Sequence, residues 1–237
     1  MASRDPFRTS HVESRRNRPA KAPLSRDAIV AEALRQITSA DGAGMSLRRI
    51  ATALDTGPAS LYAYVDDMSH LQALVLDRAL EDVTTDSTGD SWRERLETLL
   101  RSYAGVMAAS PGIAQLAFQT TAMGPNALRI VETILALLAE AGVGPASAAW
   151  AVHLLTVTAT AIAVENSDGA DPADPDGPVT QALNRASASD YPRLQAAREH
   201  MLSGTGEQRF AWMMDILVRG ILSSSAASGR GSEPPPV

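Results

Sequence analysis

Apolar residues recur at helical spacing along most of the chain, and polar or Gly-rich breaks divide them into about nine or ten predicted helices. The first helix is expected to start at Ser25, a suitable N-cap, and its stripe includes Ile29, Ala33 and Ile37. No alternation of apolar and polar residues exceeds four positions, so no strand is predicted. The pattern therefore indicates an all-α fold.

Two short helices are predicted next, separated by a three-residue break at 55–57. The second of them opens with Pro58, whose missing N–H is tolerated in a first helical turn, and is expected to run to about Val65. Such a pair is typical of a helix-turn-helix, whose second helix enters the DNA major groove. The residues left to face DNA or its surroundings are Pro58, Ala59, Ser60, Tyr62, Ala63 and Tyr64.

The remaining periodic segments predict a larger helical region. A fourth helix has its apolar positions between Met68 and Ala79, and Ser91 caps a fifth that reaches about residue 109. Long apolar helices are expected at 126–141 and 146–164, whereas 179–203 is weakly helical at best. A capping box at 205–208 opens the last helix.

Charge is distributed unevenly along the sequence. Residues 1–64 hold ten Lys and Arg against six Asp and Glu, while residues 65–237 hold eleven against twenty-one. A basic N-terminal part on an acidic remainder suggests that only the first part meets a polyanion. A solvated basic tail would give the same imbalance.

Composition argues against several other classes of protein. The chain has no cysteine, so disulfides and thiolate zinc sites are excluded, and no metal site or cofactor is expected. No nucleophile motif, Gly-rich phosphate loop or HExxH sequence supports an enzyme. No uninterrupted apolar run reaches the ~18 residues that span a bilayer, so no membrane association and a cytoplasmic location are expected.

Residues 25–75 resemble the DNA-binding domain of the TetR/AcrR family of transcriptional regulators. The resemblance rests on the run Ser46–Leu47–Arg48–Arg49–Ile50–Ala51, the run Ser60–Leu61–Tyr62–Ala63–Tyr64–Val65, and Leu71. The sequence departs from the family pattern at Asp55, where Gly is usual, at Gly57–Pro58, and at Asp66–Asp67, where a phosphate-binding Lys is common. Asp tolerates the left-handed backbone better than most residues, so the turn is expected to survive.

The resemblance implies a homodimeric regulator that binds a double-stranded palindromic operator and is released by a small-molecule inducer; activation uses the same parts. It implies a helix-turn-helix domain (24–70) and a ligand-binding and dimerisation domain (71–222). Composition adds a disordered Arg-rich arm (1–23) before them and a mobile Ser-, Gly- and Pro-rich tail (223–237) after them. The helices at 146–164 and 206–222 are expected to pair with their copies in the dimer. Both helices could instead belong to the core of one protomer.

The resemblance also assigns roles to individual residues. Arg48 and Arg49 are expected at phosphates or bases, the alternative for both being a surface salt bridge. Tyr62 is similar to a phosphate-contacting tyrosine of the family, the alternative being a packing role. Tyr64 and Ser60 are expected to face the groove.

Candidates for the ligand pocket are large or polarisable side chains placed within helices: Met107, Phe118, Met123, Trp150 and His153. Such residues more often belong to a core or an interface. A helical interaction or scaffold protein with a basic tail is the rival interpretation of the whole chain.

Overall fold

The protein is described here by a computed structural model, which covers residues 23–39, 44–86, 88–120, 123–167, 174 and 176–228. The described residues contain helices and no strand, so the all-α prediction is confirmed. The helices are α1 (Arg26–Thr38), α2 (Leu47–Ala53), α3 (Pro58–Leu61), α4 (Met68–Ala79), α5 (Trp92–Ala108), α6 (Pro111–Gln119), α7 (Pro125–Glu140), α8 (Pro145–Ser167), α9 (Pro178–Arg185), α10 (Pro192–Met201) and α11 (Gly206–Ser228). Residues 1–22 of the predicted Arg-rich arm (1–23) lie outside the described residues.

Helix starts follow the caps expected from the sequence. The hydroxyl of Ser25 accepts a hydrogen bond from the Ala28 N–H at 3.1 Å, so α1 begins where predicted. Ser46 and Ser91 cap α2 and α5 in the same way. Thr205 and Gln208 form a reciprocal capping box at α11. These local side-chain bonds satisfy backbone N–H groups that a helix leaves unpaired.

Helices α1 to α3, with the first turns of α4, form a small unit that we call the head. Ile29 and Ala33 of α1 pack in one core with Ile50 of α2, and Leu61 and Val65 complete it from the α3 segment. All five side chains are almost fully buried. Their burial leaves the N-terminal residues of α3 facing outward.

Helix α3 is shorter than predicted. The sequence suggested a helix to about Val65, but regular helix ends at Leu61 and a turn follows through Tyr64. The N–H groups of Tyr64 and Val65 both donate to the Leu61 carbonyl. This turn keeps Val65 in the core while the chain changes direction toward α4.

Helix α4 joins the head to the larger unit, the body, which comprises α5 to α11. Its N-cap is Asp67, whose carboxylate accepts from the His70 N–H at 2.8 Å. The helix packs against α1 of the head and against α6 and α7 of the body, and α1 itself also contacts α6. The predicted domain boundary at residue 70 falls inside this one continuous helix.

The body has α5 and α8 at its centre. Leu99, Leu100 and Met107 of α5 are fully buried, as is Leu155 of α8. Helices α6, α7 and α11 pack against α8 as well. Helix α8 is long and apolar enough at Pro145–Glu165 to cross a membrane by length and composition, but a core helix meets the same test.

The C-terminal third contains more helix than the sequence suggested. The region expected to be weakly helical forms α9 and α10, each opening with a proline in its first turn. Helix α11 continues to Ser228, past the expected end at residue 222. The Ser225 hydroxyl accepts from the Gly144 N–H at 3.1 Å, which attaches this extension to the start of α8. Residues 229–237 of the predicted tail lie outside the described part of the chain.

Candidate DNA interface and effector domain

The turn between α2 and α3 depends on a left-handed residue. Asp55 has φ of 50°, and no other non-glycine residue in the described part of the chain has positive φ. The Thr56 N–H donates to the Ala51 carbonyl and the Asp55 N–H to the Thr52 carbonyl, which together make a Schellman end to α2. The expectation that Asp accepts the role usually played by Gly is confirmed here.

Helix α3 presents its N-terminal residues to solvent. Pro58, Ala59 and Ser60 are exposed, and Leu61 behind them is fully buried. The N-cap is Gly57, which offers no side-chain cap. The outward surface is therefore small and largely apolar, with Ser60 as its hydrogen-bonding side chain.

The two arginines at the start of α2 have different surroundings. Arg48 is exposed, as a DNA contact requires. Arg49 is half-buried, and its guanidinium donates to the Gly44 carbonyl at 2.7 Å. It also contributes to holding the pKa of Glu32 below its ordinary value, after the stronger effect of the Arg35 hydrogen bond. Arg48 is thus better placed than Arg49 to reach a nucleic acid.

The two tyrosines after α3 also differ. Tyr62 is 56% exposed, so its ring and hydroxyl are open to solvent. Tyr64 is half-buried and packs against the core of the head. Its carbonyl accepts from the Arg26 Nε at 3.3 Å, which places a basic side chain beside the α3 segment. Arg26 was not among the residues expected at this surface, because its contact with Tyr64 joins positions 38 residues apart and no local pattern signals it. The roles of Tyr62 and Tyr64 at DNA stay predictions.

The five candidate ligand residues are not brought to one place. Met107 is fully buried in the core of the body, whereas Phe118 of α6 and Met123 after it are exposed. Trp150 and His153 lie on the outward side of α8. Spacing along a helix identified apolar and aromatic positions but not which of them share a cavity. Their assignment to a pocket stays a prediction.

A groove of about 330 Å³ lies between α5, α8 and α11. Its lining is mostly small or apolar, and includes Ala104, Gly105, Ala108, Ile162 and Phe210. At its edge the Arg101 guanidinium lies 5.6 Å from the centre of the Phe210 ring and forms ion pairs with Glu97 and Glu207. This volume is at the lower end of the range of small-molecule sites.

One polar pair lies inside the apolar body. The Tyr103 hydroxyl is 3.2 Å from Thr160 Oγ1, and the Thr160 hydroxyl donates to the Thr156 carbonyl. The Tyr103 hydroxyl must therefore be the donor to Thr160. Burial raises the pKa of Tyr103, which keeps this phenol protonated.

Exposed apolar side chains lie along the neighbouring helices α8 and α11. Trp150, Leu154 and Val157 follow one another at helical spacing on α8, and Trp150 is 62% exposed. Trp212 and Ile216 lie on the neighbouring α11, where Trp212 is 66% exposed. The helices run antiparallel, since the start of α8 contacts the end of α11 and the end of α8 lines the groove with Gly206. Large apolar patches of this kind mark interaction surfaces.

Taken together, the fold is that of a helix-turn-helix head on an all-helical body. The model of the "tetracyclin repressor-like, C-terminal domain" family matches residues 85–224, which is more than half of the chain. The protein therefore belongs to the tetracycline repressor-like (TetR) family of transcriptional regulators.

Named relatives agree with this membership. The chain is 34% identical over 131 residues to the HTH-type transcriptional repressor DrrR1 of Streptomyces coeruleorubidus, a match that covers 53% of this chain and 48% of DrrR1. The match thus spans about half the length of that relative. The crystal structure of the TetR family protein ActR from Streptomyces coelicolor, in complex with (S)-DNPA, superimposes with a TM-score of 0.76 at 31% identity, covering 86% of this chain and all of that one.

Proposed function

We propose that the protein is a ligand-responsive transcriptional repressor that binds a palindromic operator as a homodimer. The observation that carries the proposal is the exposed N-terminus of α3, held outward by the buried Leu61 and Val65 and flanked by exposed Arg48 and Tyr62. In a helix-turn-helix these positions approach base edges and phosphates. We place the protein in the cytoplasm and assign it no enzymatic activity.

The apolar surface on α8 and α11 supports the dimer. In the isolated chain it exposes two tryptophans and several aliphatic side chains on adjacent helices. Pairing of this surface with a second copy would give an isologous four-helix contact. Two heads on such a dimer can occupy half-sites about one DNA turn, ~34 Å, apart.

The effector is proposed to be a small, largely apolar organic molecule. A second ActR crystal structure, which contains actinorhodin, has a TM-score of 0.75 to this chain at 29% identity. The groove between α5, α8 and α11 has a lining of mostly small or apolar side chains, which suits a molecule of this kind. Binding there would shift the body and, through α4, change the spacing of the heads.

Mobility-shift titration tests DNA binding directly. The DNA is the region upstream of the protein's own gene, with a scrambled fragment of equal composition as competitor. We expect a sequence-preferential shift by the native chain that Arg48→Ala reduces. Arg193→Ala is the matched control, because Arg193 is an exposed arginine on α10 of the body. Equal binding of both fragments at low salt would favour the scaffold interpretation instead.

The groove can be tested without knowing the natural effector. The fluorescent aromatic anion 8-anilinonaphthalene-1-sulfonate serves as the probe. Ala108 is an exposed residue of the groove on α5, and Ala136 is an exposed residue on α7 outside it. We expect Ala108→Phe to weaken binding of the probe and Ala136→Phe to leave it unchanged. Equal loss in both variants would remove the groove from the proposal.

A further inference from the structure

A buried carboxylate connects α4 to α7. Asp77 of α4 is only 8% exposed, and its carboxylate accepts from the Ala127 N–H at 2.9 Å and the Asn126 N–H at 3.4 Å. The Asn126 amide donates back to the Asp77 carboxylate and to its carbonyl, at 3.3 and 3.0 Å. Asp77 therefore caps the first turn of a helix to which it does not belong.

The start of α7 is built to receive this carboxylate. Its own N-cap is Gly124, which supplies no side chain to the unpaired N–H groups. A Cβ at Gly124 would lie 2.6 Å from both Asp77 carboxylate oxygens, so only glycine permits so close an approach. The positive end of the α7 dipole adds to the attraction for the negative charge.

A second contact holds the segment that follows this same C-terminal end of α4. Arg129, one turn further along α7, donates to the Val83 carbonyl at 3.1 Å and to the Thr85 hydroxyl at 2.5 Å. Its other terminal nitrogen reaches the carbonyls of Leu80 and Glu81 at 3.4 and 3.3 Å. The last turn of α4 and the segment after it are thus held by α7 at two points.

We infer that Asp77 is a positioning residue that sets the orientation of the head relative to the body. Helix α4 packs against α1 of the head, and its C-terminal half is bonded to α7 of the body. A rotation of α4 would have to break the Asp77 bonds and leave buried polar groups without partners, which is costly. The effect of this orientation on DNA binding rests on the proposed function, whereas the role of Asp77 in setting the orientation does not.

Distance measurement between two spin labels tests the orientation within one chain. The chain has no cysteine, so Ala53→Cys on α2 and Thr98→Cys on α5, both exposed, give two unique labels. Labelled protein is diluted with an excess of unlabelled protein, so only distances within a chain are measured. We expect a narrow distribution for the native sequence and a shifted or clearly broadened one for Asp77→Asn.

Two controls separate positioning from general stability. Asp82→Asn makes the same chemical change at an exposed carboxylate just beyond α4 and should leave the distribution unchanged. Leu138→Ala removes a buried side chain of α7 and should lower the melting temperature without broadening the distribution. If Asp77→Asn fails to fold, Asn126→Ala carries the test, since it removes only the side-chain half of the contact. An unchanged distribution in the folded variant overturns the inference.

Operator affinity provides the second measurement. We expect Asp77→Asn to weaken sequence-specific binding about tenfold, within the 5- to 150-fold range usual for coupled sites. Binding to scrambled DNA at low salt should not change, because the charges on the DNA-facing surface are intact. If the native chain itself shows no preference for operator DNA, the proposed function fails, while the spin-label result still decides the role of Asp77.

Discussion

The head and the body bury their apolar residues to different extents. In the head, Ile29, Ile50 and Leu61 are fully buried in a core that is continuous with that of the body, and Tyr62 is the one large exposed hydrophobic side chain among the described residues of the head. In the body, Leu99 and Leu155 are equally buried, but tryptophans are exposed on α8 and α11. The head therefore leaves little apolar surface exposed, whereas the body exposes an apolar surface that the proposed dimer would bury.

This difference assigns separate tasks to the two regions. An exposed surface of small, polar and basic side chains suits a hydrated partner such as DNA. An exposed surface of aromatic and aliphatic side chains suits a dry contact between proteins. Helix α4 passes through both regions, and the Ser110 hydroxyl of the body also donates to the Ile37 carbonyl of α1 at 3.2 Å, so a change in one region reaches the other through these contacts.

The largest effect is expected from a charge placed on the apolar surface of the body. We expect Trp212→Asp to convert the dimer to monomers and to lower operator affinity about 100-fold, since a buried aromatic anchor contributes several kcal/mol to a contact. Sedimentation velocity and mobility-shift titration measure the two effects. Val179→Asp, on an exposed residue of α9, is the control. A monomer that binds operator at full strength contradicts the proposed arrangement.

A charge removed from the head should act on DNA alone. We expect Arg48→Ala to cost about 1–3 kcal/mol of operator binding and, where the contact is to phosphate, to reduce the salt dependence by about one unit of slope. The dimer should persist, because Arg48 lies on α2, which packs against α1 and α3 of the head. Titration at several salt concentrations measures both quantities. An altered sedimentation coefficient of Arg48→Ala would show that a change in the head also affects the dimer.

The sequence predicted the features that short-range chemistry determines. Ser25, Ser46 and Ser91 cap helices because each bonds an N–H only three residues away. The family was identifiable because the residues of α2 and α3 that resemble it lie in short, continuous runs of the sequence. The Asp77 contact with Ala127 joins residues 50 apart, and no local pattern signals it.

The same limit explains what the sequence placed poorly. Trp150 stood out as a large side chain within an apolar helix, and spacing alone did not show that it faces away from the core. Helices α9 and α10 have few apolar residues at helical spacing, so periodicity underestimated them. Their starts depend on Pro178 and Pro192 in the first turn, a signal for helix initiation rather than burial.

A substitution in the turn between α2 and α3 should stabilise the head, whereas the substitutions above cause losses. Asp55 is held at φ of 50°, which costs a residue with a Cβ about 1–2 kcal/mol. We expect Asp55→Gly to stabilise the head by up to about 1 kcal/mol, after the greater freedom of glycine in the unfolded chain is subtracted. Amide hydrogen exchange in α1 and α2 reports on the head alone. Ala53→Gly, within α2, should instead destabilise the head. A loss of amide protection in both variants would contradict the idea that the backbone at Asp55 is strained.

The smallest expected effect concerns the charge of Glu32, which the head uses to organise α1. Its carboxylate accepts from Arg35 at 2.6 and 2.8 Å and from the Gln36 amide at 2.8 Å, and the Arg35 bond is the main reason that its pKa lies below the ordinary 4.5. A lowered pKa means that the charged form stabilises the folded head above pH 4.5, and that this contribution disappears as the pH falls through the folded-state pKa. At pH 7 we expect Glu32→Gln to cost about 0.3–0.5 kcal/mol, the size typical of ion pairs within one helix, because Arg35 is exposed although Glu32 is largely buried. Hydrogen exchange in α1 at pH 7 and near pH 4 measures the difference between the native chain and the variant. That difference should shrink at the lower pH; one that grows there would reverse the assigned sign.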